Sequence, residues 1–157
     1  MSESMFLPDE GATRKLGAAL AVGIAPGRVI FLRGDLGAGK TTLVQGLLRA
    51  LGFSGRVKSP TYSLVELYKL SSLNLYHFDF YRFEDRSEWI DSGFREYFNQ
   101  DSACVVEWPE RVADLLAPPD LDLRLEFSGS GRRALLKPQT AAGRDWLAVA
   151  LKRSPQA

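Results

Sequence analysis

The residues that most plainly announce chemistry are Gly34-Asp35-Leu36-Gly37-Ala38-Gly39-Lys40-Thr41, which match G-x-x-x-x-G-K-[ST] at every fixed position. Each fixed type has a physical reason. Glycines admit positive φ and leave backbone N–H groups free to face a polyphosphate. A helix starting near Lys40 would aim its positive end at the same phosphates. Lys40 would reach the β- and γ-phosphates and the Thr41 hydroxyl would ligate Mg²⁺, with Thr42 adding a second hydroxyl at the helix start. The apolar run Val29-Ile30-Phe31-Leu32 before the loop and the helical pattern after it supply the strand–loop–helix context the motif requires. The segment predicts a nucleoside triphosphate site built on a phosphate-binding loop (P-loop). Neither an Asn-Lys-x-Asp element nor an Asp-x-x-Gly follows the loop, which favours ATP over GTP.

Phosphate chemistry also needs an acid near the metal and a group to orient the attacking water or acceptor. Glu107 ends the apolar run Ala103-Cys104-Val105-Val106, and Asp79 ends Leu75-Tyr76-His77-Phe78, so both stand at strand ends. Either acid could equally be a cap or a surface charge on this reading alone. Thr61, in Ser59-Pro60-Thr61-Tyr62, would offer a hydroxyl to the γ-phosphate side as switch loops do, or belong to an ordinary turn. His77, the one histidine, reads as a hydrogen-bonding residue rather than a catalytic base, and a histidine-rich metal site is excluded. Cys104 reads as buried and inert.

These residues must be positioned by regular elements. Pro8 with Asp9 and Glu10 opens a helix in which Leu16, Leu20 and Ile24 form one apolar stripe. A strand over 28–33, the Gly-rich loop and a helix from Lys40 to about Leu51 follow, closed by Gly52. Strands are predicted over 63–70 and 75–80, helix in two pieces over 88–98 with Gly93 between, and a buried strand over 103–106. A helix or a single turn is expected over 109–116, a hairpin over 121–137 and a last helix over 141–151. Together these predict an α/β fold, a P-loop NTPase-like three-layer domain with a mixed parallel and antiparallel central sheet, as one domain over residues 1–157.

The 157 residues, 45% hydrophobic and 25% charged, suit one soluble globular domain. No stretch approaches the roughly 18 consecutive apolar residues of a membrane span, so no membrane association is expected. The opening MSESMFLPDE has acids and no basic start, which reads against a secretory leader. A single cysteine cannot form an intrachain disulfide and suits a reducing, cytoplasmic setting. Charge is unevenly spread: residues 75–123 carry 12 acidic against 4 basic side chains, between basic ends. That pattern is compatible with a docking surface or with ordinary solvated faces.

Several segments in order, GDLGAGKTTLVQGLL (34–48), VKSPTYSLVELY (57–68), YHFDFYRF (76–83), GFREYF (93–98) and VVEWPER (105–111), resemble the TsaE family, formerly YjeE. The resemblance runs from about Leu7 to Arg111 and continues more weakly beyond. It implies a P-loop ATPase that acts with TsaB and TsaD in bacterial tRNA threonylcarbamoyladenosine synthesis. In that family TsaD transfers the threonylcarbamoyl group to N6 of adenosine 37, and tRNA is an indirect substrate of the ATPase. Carried over residue by residue, it makes Lys40 a phosphate ligand, Thr41 and Glu107 the Mg²⁺ ligands, Asp79 an acid needed for hydrolysis and Thr61 a switch-like residue. Glu10 and Arg132 resemble positions flanking the nucleotide base. Phe80, Phe83 and Trp89 depart from the family's usual aliphatic residues, which alters packing and not chemistry. A small-molecule or nucleotide kinase is the alternative reading, with Arg82, Arg86 or Arg95 as the arginine of a lid.

Overall fold

Val29–Arg33 forms a short strand with apolar residues on both faces, the pattern of a strand covered on both sides. In the computed structural model, which describes residues 2–153, this strand (β2) lies at the centre of a seven-stranded sheet. The others are β1 (Glu3–Leu7), β3 (Val65–Lys69), β4 (Asn74–Asp79), β5 (Ser102–Glu107), β6 (Leu121–Ser128) and β7 (Gly131–Pro138), in the order β1-β7-β6-β2-β5-β4-β3. β2 is parallel to β5 and β6, and β4 is parallel to β5, whereas β3, β7 and β1 pair antiparallel with their neighbours. The sheet is therefore mixed, as expected.

Strand alternation divides the apolar residues between two cores. Ile30, Leu32, Leu75, Ala103 and Val105 point to the face covered by α1 (Glu10–Val22), α2 (Lys40–Ala50) and α4 (Ala141–Arg153). Phe31, Phe78, Cys104 and Val106 point to the other face. Trp89 and Phe94, from α3 (Arg86–Ser92) and the 3-10 turn Phe94–Tyr97, cover them there. The second core is largely aromatic, with Phe78 5.0 Å from Phe98 and 5.6 Å from Phe94, ring centre to ring centre. Helical layers on both faces give the three-layer α/β arrangement.

The elements begin and end for local reasons. Asp9 caps α1 by accepting a hydrogen bond from the Ala12 N–H at 2.8 Å, so Pro8 stands before the cap and not in the first turn. Asp85 caps α3 in the same way, which starts that helix earlier than the expected 88. Gly93, at φ +73°, ends α3 and turns the chain into the 3-10 segment. Over 109–116 there is no continuous helix but two single 3-10 turns, Pro109–Arg111 and Ala113–Leu115. β1 is an addition to the elements read from sequence. Its alternation is short, with Met5 and Leu7 buried and Phe6 exposed, and the strand depends on the edge that β7 offers.

α1 and α2 meet almost backbone to backbone. A Cβ on Gly17 would stand 2.1 Å from the Leu43 carbonyl oxygen, and one on Gly46 2.1 Å from the Arg14 carbonyl oxygen. Glycine is needed at both positions because nothing larger fits the crossing. In an open helix Gly→Ala stabilises by about 1 kcal/mol. Here Gly46→Ala is expected to destabilise by roughly 1–3 kcal/mol through overpacking. Urea unfolding checks the sign, and a raised midpoint would show that the helices separate freely. Cys104 is buried, its Sγ donates to the Tyr97 carbonyl at 3.4 Å, and burial pushes its thiol up to about 12. An aromatic disulfide reagent is expected to leave Cys104 unmodified in the native protein and to react once it is unfolded; rapid native labelling would contradict this burial.

Candidate nucleotide-binding site

β2 ends at Arg33 and the chain turns through Gly34, Gly37 and Gly39, at φ +148°, +82° and +109°, before entering α2 at Lys40. These left-handed conformations are why the loop is written with glycines. Gly39 gives α2 no side-chain cap, so the helix presents its first N–H groups unsatisfied at the loop, the arrangement that receives an anion. The loop is held from outside by Arg132 on β7. Its Nε donates to the Ala38 carbonyl and its Nη2 to the Gly37 carbonyl, each at 3.1 Å, while the guanidinium lies 4.5 Å over the Phe127 ring. Arg132 thus ties down the Ala38 and Gly37 carbonyls, while the Ala38 N–H donates to the Asp35 carbonyl at 3.0 Å. Asp35, Leu36 and Gly37 are exposed along the loop.

Lys40 is buried, although it carries a charge. Its Nζ donates to the Gly34 carbonyl at 2.5 Å, lies 3.9 Å from Glu107 Oε1 and sits 4.2 Å over the Trp108 ring. Burial lowers its pKa, opposed by the negative charges of Glu107, Asp79, Glu110 and Asp35. Glu107 reaches this point because β5 runs parallel to β2, so both strands end on the same edge of the sheet. Asp79 ends β4 directly opposite Glu107 in register. Odd-numbered residues 75, 77 and 79 share the face of 103, 105 and 107, the face that α2 covers. The structure thus brings Lys40, Asp79 and Glu107 together.

Asp79 is tied to its surroundings. Its Oδ2 accepts from the Thr61 hydroxyl at 3.2 Å and its Oδ1 from the Tyr81 N–H at 2.9 Å. Thr61 is also 2.8 Å from the Ser59 hydroxyl, and the Leu64 N–H donates to the Pro60 carbonyl at 2.8 Å, closing the 60–64 turn. Leu64 stands at φ +69°, a position glycine usually holds. Burial pushes the Asp79 carboxyl above its ordinary value. The Glu107 charge adds to the rise, while Tyr81, Thr61 and His77 oppose it.

The remaining predicted residues divide. Thr41 is exposed and Thr42 half-buried at the first turn of α2. Thr13 of α1 comes within 3.6 Å of where a Gly39 Cβ would be, so the start of α1 lies beside the loop. Glu10, one turn earlier, is exposed and pairs with Arg14 at 3.3 Å. Of the lid candidates, Arg82 stacks 4.3 Å over the Tyr62 ring. Arg95 lines a cavity with Gly27 and Val29, at the opposite end of β2 from the loop, and the side chain of Arg86 lies outside the described part of the structure. Sequence reasoning missed Trp108. Its backbone is left-handed (φ +55°, ψ +48°), its ring covers Lys40 and it packs 4.8 Å from Tyr81. An aromatic directly after a strand-end acid was the available signal.

A hydroxyl at Thr41 with the carboxylates of Glu107 and Asp79 is a hard-oxygen donor set, completed by phosphate oxygens and water in the way Mg²⁺ prefers. Among the described residues no three His, Cys, Asp or Glu side chains cluster as a dedicated metal cage. The residues present fit a cation that arrives with a nucleotide. No helix among them is long and apolar enough to cross a membrane.

The model of one protein family, threonylcarbamoyl adenosine biosynthesis protein TsaE, matches residues 7–135. The chain is 38% identical over 149 residues to the tRNA threonylcarbamoyladenosine biosynthesis protein TsaE of Haemophilus influenzae, covering 92% of this chain and 94% of that protein. Over 124 residues it is 41% identical to the protein of the same name from Bacillus subtilis, covering 79% and 75%. Over 119 residues it is 42% identical to that of Synechocystis, covering 73% and 74%. Its structure superposes on the crystal structure of Bacillus subtilis YdiB with a TM-score of 0.85 at 25% identity, over 99% of this chain and 97% of that one.

The raised Asp79 pKa has a stability consequence. The native state holds this proton more tightly than the unfolded chain does, so stability present below the ordinary value of 3.8 is lost as pH rises through the folded value. Asp79→Asn is therefore expected to melt above the wild type at neutral pH, with the difference closing at pH below 3.8. Melting curves across pH check this, and equal neutral-pH Tm values would mean that the Thr61 and Tyr81 bonds offset the burial.

Proposed function

Since this chain belongs to the TsaE family, we propose that it binds and hydrolyses ATP as an accessory subunit of tRNA N6-threonylcarbamoyladenosine synthesis. Its partners on this reading are the TsaB and TsaD homologues, its setting is the cytoplasm, and residues 1–157 act as one unit. The observation that carries the reading is the convergence of Lys40, Asp79 and Glu107 beside a glycine loop that leads into a helix start with no side-chain cap.

Each residue has a role in this scheme. The backbone of Gly34, Asp35, Leu36, Gly37, Ala38 and Gly39 wraps the phosphates, and Lys40 exchanges the Gly34 carbonyl and the Trp108 ring for β- and γ-phosphate oxygens. Thr41 and Glu107 would hold Mg²⁺, with Thr42 supporting the same helix end. When bound with ATP, Mg²⁺ offsets phosphate charge and strengthens the leaving group. Asp79 orients the attacking water, and its bond to Thr61 connects that position to the 59–64 turn. Arg132 secures the loop on the outside, and Glu10 with Arg132 flanks the nucleotide base. The tRNA is modified by the partner and is an indirect substrate of this chain.

Phosphate release from ATP, by the chain alone and with TsaB and TsaD, tests the proposal. Lys40→Ala and Glu107→Gln are each expected to lower turnover by about 100-fold or more, the scale for removing one electrostatic stabiliser. The wild type is expected to be slow alone and faster with the partners. Turnover that ignores both substitutions would refute the site, and phosphate appearing on a metabolite would establish a kinase instead.

A further inference from the structure

His77 has no part in the chemistry assigned so far, yet it is built into the site. It is 1% exposed, and its Nε2 lies 2.5 Å from Glu107 Oε2. Its Nδ1 has no hydrogen-bond partner, the one buried side-chain polar atom in that condition among the described residues. A position buried this completely favours an apolar side chain, since an unpaired polar atom costs stability there. Packing therefore gives no reason for a histidine, and the Nε2 contact does.

That contact follows from register. On the parallel β4–β5 pair, His77 stands opposite Val105 and Asp79 opposite Glu107, so His77 and Glu107 are diagonal neighbours on one face. A rigid ring spans that diagonal. The two glutamate oxygens are then divided, with Oε2 held by His77 and Oε1 facing Lys40 Nζ at 3.9 Å. Without His77 the long Glu107 side chain would retain rotamer freedom that binding would have to remove.

We propose that His77 is a positioning residue, its Nε2–H holding Glu107 Oε2 so that Oε1 is presented to a nucleotide-borne Mg²⁺. The inference rests on the reading of Glu107 as a magnesium ligand. Outer hydrogen bonds to metal-binding carboxylates commonly matter in this way. The His77–Glu107 bond makes the carboxylate's orientation a property of the sheet register rather than of the bound ligand.

The test compares His77→Leu, which keeps bulk and removes the donor, with His77→Gln, whose amide N–H can take the place of Nε2–H. His77→Asn supplies the same amide one bond short of Glu107. Binding of a fluorescent ADP analogue is followed while Mg²⁺ is titrated, and again in EDTA, alongside ATP turnover and Tm. For His77→Leu the half-saturating Mg²⁺ is expected to rise about 10–100-fold, the scale of outer-shell losses. Binding in EDTA should be unchanged and Tm not lowered, and His77→Gln should recover most of the Mg²⁺ response. If His77→Leu fails to fold, the comparison of Gln with Asn decides, with Gln expected closer to wild type. Wild-type Mg²⁺ dependence in His77→Leu, equal defects in Gln and Leu or in Gln and Asn, or equal weakening in EDTA would overturn the proposal. A wild-type chain with no Lys40-dependent turnover would defeat the ATPase reading and leave the Mg²⁺ titration to judge His77 by itself.

Discussion

The parallel pairing of β2, β5 and β4 is the constraint on which the site depends. Parallel strands end on one edge of the sheet, and ligands of open α/β sheets gather beyond that edge. Register does the rest: Asp79 and Glu107 stand opposite one another, and the glycine loop leaves β2 beside them. Both acids share the face covered by α2, whose first residue is Lys40. A slip of one residue in β4 or β5 would turn these carboxylates into the aromatic core on the other face. The fold positions the charges more strictly than any loop contact does.

That positioning is costly to the fold. Lys40 and Asp79 are both buried, and burial acts against the charged form of each. Lys40 is left with one carbonyl, an aromatic ring and a carboxylate at 3.9 Å, a partial replacement for water. Trp108 holds a left-handed backbone conformation to put its ring there. Local stability given up in one small region is the usual accompaniment of a preorganised site.

Much of this was legible in the sequence, and for identifiable reasons. The glycine loop, the strand before it and the helix after it are local features, and local features survive translation into structure. Asp79 and Glu107 were visible as acids ending apolar runs. What could not be read was the pairing: nothing along the chain states that His77 stands diagonal to Glu107, 30 residues away. β1 was missed because a five-residue edge strand is defined by its partner β7 and only weakly by its own alternation. The two bonds Arg132 makes to loop carbonyls could not be read either, since they come from a hairpin 94 and 95 residues downstream. The break of 109–116 into two 3-10 turns follows the left-handed turn at Trp108, a conformation that propensity does not anticipate.

The close approach of α1 and α2, at Gly17 against Leu43 and at Gly46 against Arg14, also has a mechanical meaning. With only glycines at the two points of closest approach, α1 and α2 have little compliance and form one rigid block, to which α2 joins the end of the glycine loop. On the proposed function, displacements that accompany nucleotide exchange would be directed away from this block. They would fall on the parts of the site pinned by few bonds, the 59–64 turn and the Trp108 corner. One side of the site is an anvil, and a sensor of the proposed nucleotide would have to be carried by the other.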